Sequence, residues 1–229
     1  MLEEKETLAY REICYKCYRP QISCMCKYIN TFDTNTKFII LMHPKEYRKT
    51  KNGSGHFTNL SLNNCELYVG IDFTNHKDIN NLINDETKSC YVLYPGINSI
   101  NLNEQSIKEQ GKTNVLFLVD STWACANSIL SQSQNIKALP KMSFTHTKTS
   151  NFTIKKQPAD YCLSTMETTL CVLELLNKHS IENTSQADLD SFLKPFEKMI
   201  EYQVQCASKS DTCNLRYKLP KSKLKPNKF

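Results

Sequence analysis

Four cysteines stand close together near the beginning of the chain. The stretch CYKCYRPQISCMC contains Cys14, Cys17, Cys24 and Cys26 within 13 residues. Four thiolates can surround a zinc ion tetrahedrally, and cysteine pairs at short spacing are the usual source of these ligands. Disulfides and unrelated buried thiols are the alternatives, and zinc is favoured because we expect a reducing compartment. A site closed by four sulfurs has no open position, so this zinc would be structural.

A second group of reactive side chains follows an apolar run. The run NVLFLV (114–119) precedes Asp120, Ser121, Thr122 and Trp123, and Trp123 is the only tryptophan of the chain. Each of the three polar side chains could cap a helix that begins here, and the indole could fill the core. The alternative is a reaction centre built around the Asp120 carboxylate. Local physics alone favours the helix cap.

Three further segments combine polar and apolar groups. LSTMETTLCVLELL (163–176) contains Ser164 and Glu167 at the spacing of a capping box, which favours a helix start over a catalytic acid. LYPG (93–96) predicts a tight turn whose glycine lets the backbone approach a ligand. HPKEYRKTKNGSGH (43–56) predicts either a solvated loop or a site for an anionic substrate. Its polar candidates are His43, Glu46, Arg48 and His56.

Four short apolar runs would position these groups. Polar stretches, some with helical spacing, separate the runs, so the sequence predicts an α/β fold with a mostly parallel sheet and flanking helices. Ligands bind at the carboxyl edge of such sheets, and Asp120 falls at that edge. The runs are rich in β-branched and aromatic residues, as buried strands are. They are KFIILM (37–42), ELYVG (66–70), CYVLY (90–94) and NVLFLV (114–119).

The second half of the chain is more helical and ends in a basic segment. Residues 185–205 predict a helix that Pro195 kinks or divides. The tail from Arg216 contains five lysines and no apolar periodicity, so we expect it to be mobile. We divide the chain into an N-terminal zinc knuckle (1–30), a catalytic domain (31–208) and a basic tail (209–229).

Composition limits the class of protein. Hydrophobic residues make up 40% of the 229 residues, enough for a core, and the net charge of +6 permits an RNA partner without requiring one. No apolar run could span a bilayer and no signal peptide begins the chain, so we expect a cytoplasmic protein. There is no G-x-G-x-x-G, and the Gly-Lys-Thr at 111–113 precedes a strand, which excludes a P-loop. The signatures H-E-x-x-H and G-x-S-x-G are also absent.

Taken in order, these segments resemble the DTW-domain family of tRNA-uridine aminocarboxypropyltransferases. The family's D-x-T-W motif corresponds to residues 120–123, and a C-x2-C…C-x-C cluster precedes it. The resemblance covers about residues 14 to 180 and rests on six motifs in the same order. The other four are H-P-x-E (43–46), Y-P-G (94–96), L-P (139–140) and S-T-x-E (164–167).

The chain departs from the family pattern at two places. Residues 53–55 are Gly-Ser-Gly where the family usually has N-T-G. Residues 154–158 are Ile-Lys-Lys-Gln-Pro where the family often has I-R-K-x-P. Lysine keeps the charge of arginine but loses its flat bidentate fork, so the family's arginine contact is not carried over directly.

The resemblance implies a fold and a reaction. The fold would be SPOUT-like, with a C-terminal trefoil knot that cradles S-adenosylmethionine, although knots are rare. The reaction would transfer the 3-amino-3-carboxypropyl group to N3 of a tRNA uridine, giving acp3U and methylthioadenosine. Asp120 would be the general base, with Thr122 and Trp123 beside it. The donor would be held by Tyr94, Pro95, Gly96, Ser121, Leu139, Ser164, Thr165 and Glu167.

The resemblance also implies a tRNA partner. The lysine-rich tail would contact phosphates, although a solubility extension is an equal alternative. We expect a monomer. The rival functions are a SPOUT-like RNA methyltransferase and a non-catalytic zinc-knuckle RNA-binding protein. The residues expected to bind RNA are His43, Glu46, Arg48, Lys155 and Lys156.

Overall fold

The centre of the protein is a parallel sheet of six strands. A computed structural model describes residues 12–48, 53–107, 111–147, 150 and 162–208. The strands are β1 (Lys37–Met42), β2 (Cys65–Val69), β3 (Lys88–Leu93), β4 (Ile100–Asn101), β5 (Thr113–Asp120) and β6 (Lys141–Ser143). They lie in the order β2-β1-β5-β3-β6-β4, and every pairing is parallel. The predicted α/β class with a mostly parallel sheet is confirmed.

The long strands coincide with the four apolar runs. β1 occupies the predicted residues 37–42, and β5 extends the run at 114–119 by one residue at each end. Helices cover both faces of these inner strands, so each can be apolar along its whole length. β4 and β6 were not predicted, because segments of two and three residues are too short to show a periodicity.

Eight helices are present in the described part of the chain. The connection between α4 and α5 is a single serine, Ser133, whose hydroxyl donates to Ile71 O at 3.2 Å. Two turns of 3-10 helix, Gln21–Ser23 and Cys26–Tyr28, lie in the cysteine-rich segment. The helices are α1 (Pro44–Tyr47), α2 (Ser54–Ser61), α3 (Lys77–Ile83), α4 (Trp123–Gln132), α5 (Gln134–Lys137), α6 (Thr165–Lys178), α7 (Gln186–Phe192) and α8 (Lys194–Ser208).

Alternate residues of the strands face two separate apolar layers. On one face, Phe38 and Leu116 pack with Phe57 of α2 and Met166 of α6. On the other face, Phe117 belongs to a layer completed by α3, α4 and α5. This alternation follows from the two-residue period of a strand. It places α2 and α6 on the same side of the sheet, where both begin near the end of β5.

The C-terminal helical region is divided near Pro195, as predicted. α7 ends at Phe192 and α8 begins at Lys194. Pro195 therefore lies in the first turn of α8, where its missing N–H removes no helical hydrogen bond. Pro195 has no N–H to donate to the carbonyl oxygen of Ser191, four residues before it, so the hydrogen-bond pattern of α7 cannot continue through the proline.

Several expectations fall on residues beyond this description. The trefoil knot stays a prediction, because the connection from β6 to α6 contains residues 151–161, which lie outside the described residues. The basic tail (209–229) and the first eleven residues also lie outside them. Across the described ranges, no helix has the length and apolar character needed to cross a membrane.

Candidate functional site

Neighbouring strands bring polar residues to the carboxyl edge of the sheet. β1, β5 and β3 are adjacent and parallel, so His43, Asp120 and Tyr94 all emerge at this edge. The backbone N–H of His43 donates to the carbonyl oxygen of Asp120 at 3.2 Å, which joins two of the strand ends. The structure thus brings together segments that lie far apart in the sequence.

A cavity of about 360 Å³ opens at this edge, between the ends of β3, β5 and β6 and the start of α6. Leu93, Leu118 and Met142, one from each strand end, supply part of its apolar lining. Among the lining residues within the described ranges there is no lysine, arginine, aspartate or glutamate. The volume lies in the range of small-molecule sites, which is about 300–1,000 Å³.

Four of the eight residues expected to hold the donor line this cavity. They are Tyr94, Pro95, Ser121 and Thr165. The Tyr94 hydroxyl donates to Asn127 Oδ1 of α4 at 2.6 Å, which fixes its ring at the end of β3. The structure therefore places the Y-P-G turn, the D-x-T-W segment and the S-T-x-E segment around one space.

Gly96 and Leu139 lie away from the cavity lining. The side chain of Lys141 passes over Gly96, and a Cβ added to the glycine would be 3.1 Å from Lys141 Cδ. Leu139 is buried in the apolar layer formed with α3, α4 and α5. It packs the sheet face opposite α6.

Ser164 and Glu167 form the capping box that their spacing predicted. The Ser164 hydroxyl accepts a hydrogen bond from Glu167 N at 3.3 Å, and Glu167 Oε2 accepts one from Ser164 N at 2.8 Å. The same Oε2 accepts a hydrogen bond from the Ser150 hydroxyl at 2.8 Å. Both side chains are buried, and their hydrogen bonds cap the N-terminus of α6.

The carboxylate of Asp120 is turned toward α6 and α2. Its Oδ1 accepts a 2.8 Å hydrogen bond from Thr165 Oγ1. Its Oδ2 lies against the backbone of Gly55, where an added Cβ would be only 2.2 Å away. Thr165 N in turn donates to Ser54 Oγ at 3.2 Å, which joins the starts of α2 and α6.

The first helix after β5 is not capped by Asp120. The N-cap residue of α4 is Thr122, and its side chain makes no capping hydrogen bond. The side chain of Trp123 lies outside the described part of the structure. Of the three candidate N-cap residues, Thr122 therefore occupies the cap position, while the Asp120 carboxylate accepts a hydrogen bond from the first residue of α6.

The segment after β1 forms a short helix. His43 is buried, and its Nδ1 accepts a hydrogen bond from Lys45 N at 3.1 Å, which caps α1. Glu46 is half-buried in this helix, and Arg48 is exposed at its end. The other two residues expected to contact RNA, Lys155 and Lys156, lie outside the described residues.

His56 lies in the first turn of α2, with its ring 5.4 Å from that of Tyr47. Burial lowers the pKa of His56 from its ordinary value. The imidazole is therefore neutral at pH 7 and supplies no positive charge for an anionic substrate.

Several lining residues were not anticipated from the sequence. Phe144 and His146 follow β6, and their rings lie 5.7 Å apart. Cys162 and Thr168 line the cavity on either side of the start of α6. The available signal was the L-P motif, which directly precedes β6. Because a strand of three residues shows no periodicity, the sequence does not predict that its carboxyl end belongs to the site.

The four N-terminal cysteines converge as the zinc prediction requires. All four sulfurs lie within 4.8 Å of one another. Cys14 Sγ is 3.7 Å from Cys26 Sγ, and Cys17 Sγ is 3.7 Å from Cys24 Sγ. A tetrahedron with zinc–sulfur bonds of about 2.3 Å has edges of about 3.8 Å, so the spacing fits zinc. A disulfide needs about 2.05 Å, and all four are free thiols.

The electrostatics of this cluster favour a bound dication. The backbone N–H groups of Cys17 and Lys16 lower the pKa of Cys14 to about 6, which makes it a ready thiolate. Burial raises the pKa of Cys24 and Cys26. A bound dication would therefore be needed to keep all four sulfurs ionised at the same time.

Arg19 connects the cysteine cluster to α2. The residue is 3% exposed, its Nε donates to Ser23 O at 2.9 Å, and its guanidinium lies 5.7 Å from the centre of the Phe57 ring. Burial lowers the pKa of Arg19, while the negative charge of Cys17 and Cys24 raises it. Zinc with four thiolates has a net charge of −2, so a buried cation beside it offsets part of that charge.

The sequence is similar to those of known proteins over most of its length. A mouse (Mus musculus) protein named tRNA-uridine aminocarboxypropyltransferase 2 is 26% identical over 198 residues, which is 85% of this chain and 64% of that protein. The Drosophila melanogaster protein of the same name is 26% identical over 201 residues, or 85% of this chain and 76% of that protein. This chain thus spans somewhat less than two thirds of the mouse relative's length. No solved structure matches the chain significantly.

Residues 11–204 match the DTW domain family. The match includes the cysteine cluster, the end of β5 and the start of α6, which are the features that form the two sites described above. Because it covers most of the chain, this protein belongs to the DTW domain family.

Proposed function

We propose that this protein transfers the 3-amino-3-carboxypropyl group of S-adenosylmethionine to N3 of a uridine in tRNA. The products would be acp3U and methylthioadenosine. One observation carries the proposal: the carboxylate of Asp120 accepts a hydrogen bond from Thr165, a residue that lines a cavity of ligand size. The names of the mouse and Drosophila relatives support the same reaction.

The cavity suits a donor that contains a nucleoside. Tyr94 and Phe144 offer aromatic faces to a flat base, and the hydroxyl of Ser121 offers a hydrogen bond to its polar groups, while Thr165 lines the cavity beside Asp120. When bound, S-adenosylmethionine supplies a carbon that the adjacent sulfonium activates. Pro95 completes the proposed contacts. Gly96 and Leu139 would act by shaping the turn and the sheet, and Ser164 and Glu167 by starting α6.

Asp120 is the proposed general base. Uridine N3 is a poor nucleophile while it holds its proton, and a positioned carboxylate can accept that proton. The hydrogen bond from Thr165 holds the Asp120 carboxylate in one orientation before the uridine enters. Thr122 and Trp123 are proposed to complete the site at the start of α4.

Arg48 is the exposed member of the proposed tRNA contacts among the described residues, and it follows β1 at the same edge of the sheet. It lies at the end of α1, five residues after His43. The backbone N–H of His43 donates a hydrogen bond to the carbonyl oxygen of Asp120. His43 and Glu46 would act by forming α1. Lys155, Lys156 and the basic tail would add phosphate contacts, and zinc at the cysteine cluster would be structural. The trefoil knot, the cytoplasmic location and the monomeric state remain parts of this proposal.

Product analysis tests the proposal. The protein is incubated with tRNA and donor labelled in the aminocarboxypropyl chain, and the tRNA nucleosides are then examined by mass spectrometry. We expect labelled acp3U and one equivalent of methylthioadenosine. S-Adenosylhomocysteine with a methylated nucleoside would instead indicate a methyltransferase. If calorimetry detects no donor binding while tRNA still binds, the protein is a non-catalytic RNA-binding protein.

A further inference from the structure

Asp120 is connected to the cavity by its hydrogen bond to Thr165, which lines it. Its chain neighbours Val119 and Ser121 line the cavity, and so does Thr165. Asp120 itself is not among the lining residues in the described ranges. A substrate in the cavity therefore meets the Thr165 side chain before it meets the carboxylate.

The carboxylate is held in this position from two sides. Thr165 Oγ1 binds Oδ1 at 2.8 Å, and the backbone of Gly55 packs against Oδ2 and Cγ. The start of α6 is also tied to α2, because Thr165 N donates to Ser54 Oγ. Turning Asp120 toward the cavity would break its hydrogen bond to Thr165 and move its carboxylate away from Gly55. Direct contact between the carboxylate and a uridine is therefore disfavoured.

The direction of the hydrogen bond fixes the chemistry that Thr165 presents. A threonine hydroxyl has one proton, and an ionised carboxylate can only accept. The proton of Thr165 therefore points to Asp120, and only oxygen lone pairs remain for a ligand in the cavity. Such an acceptor matches the N3–H group of a uridine, which is a donor.

We infer that Thr165 relays the N3 proton of the uridine to Asp120, an inference that rests on the proposed function. The N3–H bond breaks as this proton moves to Thr165 Oγ1, and Thr165 passes its own proton to Asp120 Oδ1. The lone pair left on N3 forms the bond to the donor carbon, and the electrons of the broken carbon–sulfur bond stay on sulfur.

Charge balance supports this route. The step neutralises the negative charge of Asp120 and the positive charge of the sulfonium together. Opposite charges attract, and the described lining contains no acidic, lysine or arginine side chain that would compete with this pair. The relay therefore places the developing neutral acid one hydroxyl away from the reacting nitrogen.

Three variants test the relay. Thr165→Val removes the hydroxyl at nearly constant size, and Thr165→Ser keeps it. Thr87→Val is the matched control, because Thr87 Oγ1 also donates to an aspartate, Asp85, at 2.5 Å, but lies before β3 at the opposite edge of the sheet. Single-turnover rates are measured with saturating donor and tRNA. Binding of methylthioadenosine and of tRNA is measured separately by calorimetry.

We expect Thr165→Val to slow transfer by about 10²–10⁴-fold, the usual contribution of general acid–base catalysis. Thr165→Ser should stay within about tenfold of the parent rate, since it keeps the proton-carrying oxygen. Thr87→Val should transfer at the parent rate. Both dissociation constants should stay within about twofold in every variant, because the relay acts on the chemical step.

A proton inventory separates a relay from mere positioning. Two protons move together in the relay, so the parent rate should curve with the fraction of D2O, and Thr165→Ser should curve likewise. A linear inventory in the parent, or parental transfer by Thr165→Val, would overturn the relay while leaving the proposed function intact. Absence of any aminocarboxypropyl transfer by the parent would instead refute the proposed function, and the relay with it.

Discussion

The carboxylate of Asp120 lies where two helices begin. Gly55 is in the first turn of α2, and Thr165 is the first residue of α6. Unpaired backbone N–H groups give a helix start a partial positive charge, which favours a nearby anion. The Thr165 hydroxyl and the Gly55 backbone hold the carboxylate in one orientation. A base held in one orientation needs no reorganisation before it accepts a proton.

Replacing the charge of Asp120 tests this arrangement. Asp120→Asn keeps the size of the side chain but removes its ability to accept a proton. Transfer should fall by at least about 100-fold, while tRNA affinity changes by less than about twofold. Single-turnover assays and filter binding measure the two quantities. Asp85→Asn, which alters the surface Thr87–Asp85 pair, is the control. Retained turnover in Asp120→Asn would remove Asp120 from the role of base.

Gly55 provides the second residue-scale prediction. Alanine is favoured over glycine in a helix by about 1 kcal/mol, so Gly55→Ala would stabilise the protein if space allowed. The added methyl would lie 2.2 Å from Asp120 Oδ2, so we expect lower stability and reduced transfer. Urea unfolding and transfer assays measure these effects. Gly96→Ala is the control for the unfolding measurement alone, because its nearest neighbour is the flexible Lys141 side chain. A more stable and fully active Gly55→Ala would show that Asp120 can move freely.

At the scale of elements, the start of α6 determines where Thr165 stands. Ser164 and Glu167 cap the helix through reciprocal hydrogen bonds, and Glu167 also binds the Ser150 hydroxyl. Thr165 directly follows the capping serine. Any shift of this helix start therefore moves the hydroxyl that contacts Asp120. The capping box is part of the construction of the site as well as of the helix.

Glu167 variants separate these contributions. Glu167→Ala leaves the Ser164 N–H without its acceptor in a buried setting, which should cost about 1–3 kcal/mol of unfolding free energy. Glu167→Gln keeps an oxygen acceptor and should lose much less, since glutamine also completes a capping box. Urea denaturation measures both. Equal stability of the alanine variant and the parent would contradict the role given to this contact.

The extent to which the elements were predictable depends on their length. β1 and β5 have six and eight residues, so their apolar runs identified them. β6 has only three residues, and the lining residues that follow it were missed with it. Thr165 was expected near the donor from the S-T-x-E motif. Its hydrogen bond to Asp120, 45 residues away, could not be predicted, because it depends on how α6 packs on the sheet.

At the scale of the whole molecule, the cysteine cluster is joined to the domain that contains the cavity. Met25 belongs to the same apolar core as Phe57 and the strands of the sheet. Arg19 lies between the cysteine sulfurs and the Phe57 ring. Phe57 stands two residues after Gly55 on α2. The packing therefore forms a continuous path from the cluster to the helix that borders Asp120.

Loss of zinc from the cysteine cluster should therefore lower the stability of the whole domain. We expect about one zinc per chain, and none in Cys17→Ser, while the exposed Cys206→Ser keeps its zinc and serves as the control. A cluster without metal leaves Met25 and Arg19 poorly supported. A loss of about 2 kcal/mol would lower the Tm of Cys17→Ser by roughly 4–8 °C. Elemental analysis and calorimetric scanning measure these effects. Zinc loss with an unchanged Tm would mean that the cluster is only loosely attached, and that the path through Arg19 to α2 contributes nothing to stability.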